Sequence, residues 1–171
     1  VWHRSFHELI LNDAAVKWLG IDRDVMERHL QIDEDTGRFS EMGAMLALAD
    51  LRPFLFSPNW FAKGLKELIK VAHAGGHTTV ADLAWGIFDP ETEWQTYSAL
   101  LDTPEVPLRS MLIPRGIMEA ELTGDPKEAV AQIDALTDRG TDKLFFDRHV
   151  KLFTDGAFFS ELMQMQGAGF I

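Results

Sequence analysis

The chain has no cysteine among its 171 residues. That excludes disulfide frameworks and cysteine-ligated zinc, and leaves histidine, carboxylate or modified lysine as the metal ligands available. Basic side chains are scarce: 16 Lys and Arg stand against 27 Asp and Glu, a formal charge of -11. A phosphate backbone or an anionic bilayer would meet repulsion over most of such a surface, so neither nucleic acid nor membrane is an expected partner. No apolar run reaches the length of a membrane span, and Val1-Trp2-His3-Arg4-Ser5-Phe6-His7 has neither the basic start nor the apolar core of a secretory signal. The chain reads as soluble, with the cytoplasm as its expected place. Neither standard glycine-rich phosphate loop is present, nor a Gly-x-Ser-x-Gly elbow, which removes most of the support for nucleotide binding and serine nucleophile chemistry.

What is present suits one globular domain: 46% of the residues are hydrophobic and 25% charged. The start at Val1 and the close on Gly167-Ala168-Gly169-Phe170-Ile171 read as cuts in a longer protein. Three helices are punctuated alike. Ser57-Pro58, Asp89-Pro90 and Asp125-Pro126 each place a capping residue before a proline at the first helical position. Apolar stripes follow each: Phe61, Leu65, Leu68, Ile69 and Ala72 before Gly75-Gly76; Trp94, Tyr97 and Leu101 before Pro104; Val130, Ile133 and Leu136 before Gly140. Between them lie β-type runs at residues 77–82, 106–113, 143–146 and 150–153. Strands alternating with helices of this length point to βαβ units around a parallel sheet, hence an α/β fold. Upstream, residues 1–7 read as a further strand, residues 12–18 as a helix, the Asp33-Glu34-Asp35 to Gly37 stretch as a solvated loop, and residues 41–49 as another helix.

His73 and His77 are four apart, a spacing that on a helix can put two imidazoles on one metal, but Gly75-Gly76 between them ends the helix first. Met163 and Met165, with Phe158 and Phe159 nearby, suit an apolar substrate pocket or ordinary core equally. From residue 149, alternation puts His149, Lys151 and Phe153 on one side of a strand and Val150, Leu152 and Thr154 on the other. In a parallel barrel both faces are covered, so Lys151 would be buried or would face a functional cavity; burial favours the neutral, reactive amine. An edge strand with its lysine in water fits the periodicity as well.

Three separated motifs then come together. They are Arg4-Ser5-Phe6-His7 with Asn12, Ala14, Ala15 and Gly20-Ile21; Gly75-Gly76-His77-Thr78-Thr79-Val80-Ala81-Asp82; and Val150-Lys151-Leu152-Phe153-Thr154-Asp155-Gly156. In this order and at these separations the chain resembles the amidohydrolase family 3 hydrolases, the group that includes N-substituted formamide deformylase. The resemblance implies a segment of a (β/α)8 TIM barrel spanning residues 1–171. The parent enzyme it implies hydrolyses a carbon-nitrogen bond of an amide or formamide-like small-molecule substrate. Its cofactor would be a divalent metal, usually zinc, that lowers the pKa of bound water to about 7 and polarises the carbonyl. Of the superfamily's ligand positions, only the fourth-strand one has a match, Lys151, and no His-x-His occurs anywhere.

A full barrel runs to about 250 residues, so an interior piece that binds no metal and is inactive alone is expected. Lys151 is the expected metal-binding position, as a carbamate in the parent, with a structural lysine paired with a nearby acid such as Asp155 as the alternative. Asp82 is expected at the C-terminal end of a strand, as a substrate-binding or supporting residue or else as an N-cap. His7 is expected to face the same end and contact substrate, with a satisfied core or surface histidine as the alternative. Arg148-His149 and Phe158-Phe159 depart from the family pattern, the second implying a narrower or more apolar pocket. A non-catalytic barrel binding protein and a small α/β interaction domain are the rival readings.

Overall fold

The computed structural model describes all residues except 88, 117–123, 153–154, 156, 159–160, 162 and 168–171. The chain divides into two compact units, Val1–Leu55 with Thr154–Ile171, and Phe56–Phe153.

In the first unit, β1 (Glu8–Ile10), β2 (Ile32–Asp33) and β3 (Arg38–Ser40) form an antiparallel sheet in the order β1-β3-β2. The strand expected over residues 1–7 begins later, at Glu8; upstream of it, Trp2 alone forms a bridge, to Leu9. The acidic stretch after Asp33 is the turn of a hairpin. Its sequence carries no apolar alternation because only β3 is buried. Gly37 closes that turn at φ +67, and a Cβ there would lie 2.1 Å from the Leu11 carbonyl oxygen, so no other residue fits. Helix α1 (Asp13–Leu19) starts on Asn12, whose side chain accepts the Ala15 N–H, and ends on left-handed Gly20. A short α2 (Arg23–Arg28) follows, capped by Asp22. Helix α3 (Glu41–Leu55) runs past the expected end near Ala49 and through Pro53. Leu51 and Leu55 pack on the same core as Ala44, Ala47 and Leu48, together with Leu9, Met26 and Phe39, and that burial carries the helix onward.

The second unit is the expected α/β arrangement. Strands β4 (Thr79–Trp85), β5 (Arg109–Pro114) and β6 (Leu144–Phe146) form a parallel sheet in that order. Helices α4 (Pro58–Ala74), α5 (Pro90–Leu101) and α6 (Pro126–Ala135), with a 3-10 turn at Leu136–Arg139, alternate with them along the chain. Asp89 and Asp125 cap α5 and α6 by accepting the N–H groups of Thr92 and Lys127. Ser57, at the start of α4, makes no capping bond. Gly140, expected as a left-handed stop, is extended, because the 3-10 turn has already closed the helix. Trp85, Leu101, Leu112, Leu144 and Phe146 form the core, with Ile69, Trp94, Tyr97 and Leu136 against it. Trp94 stacks on Phe146 at 5.5 Å between ring centroids, while Trp85 meets it edge-on at 4.8 Å.

Among the described residues, no helix is long and apolar enough to cross a membrane.

Candidate functional site

The carboxyl edge of a parallel sheet is where α/β folds place their chemistry. Here that edge is built from the residues that follow β4 and β5. Beyond β5, Arg115 bridges in parallel to Lys151. The Lys151 N–H donates to the Pro114 carbonyl at 2.8 Å, and the Gly116 N–H donates back to the Lys151 carbonyl at 3.0 Å. Over its described residues, Val150 to Leu152, the run expected as a strand forms a single bridge; Phe153, Thr154 and Gly156 of that motif lie outside the described residues. A Cβ on Gly116 would lie 2.3 Å from Val150 and 3.2 Å from Leu152, so both of these side chains fall on the Gly116 side of the bridge. By alternation, half-buried Lys151 lies on the other side.

Asp82 pairs with Leu112 and stands in mid-strand, not at the C-terminal end where the sequence placed it. Its carboxylate accepts the Tyr97 hydroxyl of α5 at 2.7 Å and the Ala84 N–H at 3.0 Å. Burial, and after it the Asp82 charge, push the Tyr97 phenol above the ordinary tyrosine range. Paired residues of a parallel ladder share a face, and Arg115 is an odd number of residues from Leu112. Lys151 therefore lies on the face opposite Asp82, and the structure does not bring the two together.

One functional-looking residue escaped the sequence reading. Glu93, 3% exposed, sits in the first turn of α5 and accepts the Gly86 N–H at 2.7 Å and the Asp89 N–H at 3.3 Å. It pins the loop after β4 at the sheet's carboxyl edge. The available signal was an acid early in the helix that follows a strand and a glycine.

In the first unit, His7 Nδ1 lies 3.0 Å from Glu41 Oε2. A cavity of about 430 Å3 also lies there, floored by Leu11, Val16, Ile21 and Met26 and rimmed by charges that include Lys17 and Glu34. None of His7, Asp82 or Lys151 lines it. His77 is exposed and folds back over Gly75, so the His73–His77 spacing makes no ligand pair. Among the described residues, no group of three or more His, Cys, Asp or Glu converges to hold a metal.

No family model matches this sequence, and no curated protein does. Among solved structures, the chain is similar to an uncharacterized metal-dependent hydrolase from Pyrococcus horikoshii OT3, with a TM-score of 0.57 and 16% identity. The likeness covers 94% of this chain and 29% of that one, so the chain spans less than a third of its neighbour's length and shares its fold over that part.

Proposed function

We propose that this chain is a section of a metal-dependent hydrolase with a (β/α)8 barrel, of the amidohydrolase family 3 type, acting on a carbon-nitrogen bond of an amide or formamide-like small molecule. One observation carries the reading: Lys151 stands just beyond the carboxyl edge of a parallel sheet, on the face away from the Asp82–Tyr97 contact with α5. That is where a barrel presents side chains to its active site. The hydrolase fold neighbour supports it. In the whole protein Lys151 would be one ligand of a divalent metal, zinc by family resemblance, its amine carrying carbon dioxide as a carbamate. The remaining ligands would come from outside this chain, so no catalytic step is assigned to residues here. His7 is the residue proposed to contact substrate. Asp82 is proposed as support, since its carboxylate holds α5 to β4.

The rival is a non-catalytic barrel binding protein. Metal analysis of the whole protein separates the two. The hydrolase reading expects bound metal that Lys151→Ala reduces severalfold, with the circular dichroism unchanged. Full metal content in that variant would take Lys151 out of the site, and a metal-free wild type would favour the binding protein.

A further inference from the structure

The His7–Glu41 pair is held more firmly than a surface ion pair needs to be. Besides the 3.0 Å side-chain bond, the Glu41 N–H donates to the His7 carbonyl at 2.9 Å. The second oxygen of Glu41 accepts the Ala157 N–H at 2.9 Å. Glu41 itself sits at φ +44 between β3 and α3, and Phe6, next to His7, at φ +65. Non-glycine residues in the left-handed region persist only where the surrounding structure over-determines them, and they cluster at functional sites. A carboxylate on Nδ1 fixes an imidazole as the Nδ1–H tautomer and leaves Nε2 as a hydrogen-bond acceptor. Among the described residues nothing bonds His7 Nε2, and the side chain is 38% exposed. Each member of the node adjoins an exposed apolar residue in sequence: Phe6 at 69%, Met42 at 64% and Phe158 at 58%.

We propose that Glu41 is a positioning residue that presents His7 Nε2 as an acceptor for an N–H or O–H of a small molecule bearing an aromatic or apolar group, which the exposed neighbours Phe6, Met42 and Phe158 would receive. This rests on the reading of His7 as a substrate contact, but not on the metal chemistry assigned to Lys151.

Nitrogen NMR of the histidine rings in the 171-residue chain tests it, with benzamide as the probe and methyl benzoate, which has a ring but no donor, as the control. The wild type is expected to show His7 protonated at Nδ1, and benzamide to shift its Nε2 signal where methyl benzoate does not. Glu41→Gln, whose amide can donate to Nδ1 and reverse the tautomer, should weaken benzamide binding about tenfold or more; that variant need only match the wild-type circular dichroism. A His7 ring protonated at Nε2 in the wild type overturns the proposal without any variant. An Nε2 signal unmoved by benzamide overturns the substrate reading of His7 along with it. A benzamide shift that survives Glu41→Gln intact overturns the role of Glu41 and leaves His7 standing.

Discussion

Tyr97 is the residue whose environment makes the sharpest demand. Its hydroxyl is buried against Asp82, and burial first, then the neighbouring charge, raise the pH at which it ionises. An unfolded chain releases that proton near pH 10, whereas the folded chain keeps it beyond, so the contribution to stability is whole below about pH 10 and is lost as pH rises further, by up to about 1.4 kcal/mol per pH unit. Because the sequence contains one tyrosine, tyrosinate absorbance reports this group alone. It should stay silent through the ordinary tyrosine range and appear together with unfolding; a normal titration in the folded chain would contradict the buried bond. Tyr97→Phe should flatten the alkaline loss and cost about 1–3 kcal/mol at neutral pH in urea denaturation, since Asp82 keeps the Ala84 N–H but loses its side-chain donor. Nothing in the local sequence announced this pair. A lone aspartate in a β-type run reads as a strand-end or site residue, and only the register with Leu112 shows that it faces α5.

At the level of helices and strands the sequence was far more explicit. Proline after a capping residue marked α4, α5 and α6, and the alternation of β-type runs with helices led to the parallel order β4-β5-β6. What local pattern could not carry was anything decided by distant packing. The hairpin β2–β3 is a polar run that pairs because Phe39 is buried among residues from other elements. The bridge at Lys151 needs the end of β5 as its partner. The three helix starts also differ in a way composition hides. Asp89 accepts the Thr92 N–H at 2.8 Å, whereas Ser57 makes no capping bond. Asp89→Ala should therefore cost about 1 kcal/mol, the usual worth of an N-cap. Ser57→Ala should cost almost nothing, and equal losses in chemical denaturation would show that the two starts are alike after all.

For the molecule as a whole, association is the property to ask about, because the unit Phe56–Phe153 exposes several large apolar side chains. Trp60, Leu68 and Val71 on α4, Leu83 on β4 and Val130 on α6 are each more than half exposed. Apolar patches of this kind drive association, while the net charge of -11 opposes it by mutual repulsion. Salt screens the charge and leaves the apolar attraction in place. Sedimentation velocity should accordingly show the chain associating more strongly at high ionic strength than at low. A monomer under both conditions would mean that these side chains are too scattered to act together.

The way the chain is divided sets an order of events during its synthesis. Phe56–Phe153 is one uninterrupted stretch whose strands pair with their neighbours in sequence, so it can close as soon as β6 has left the ribosome. The other unit draws on both ends of the chain, and the bond from Ala157 to Glu41 spans 116 residues. Its N-terminal portion must therefore wait, with the Glu41 node incomplete, while the whole intervening stretch is made. Of the two units the continuous one can be finished first, so a chain arrested just after β6 should hold Phe56–Phe153 folded while Val1–Leu55 still lacks Ala157.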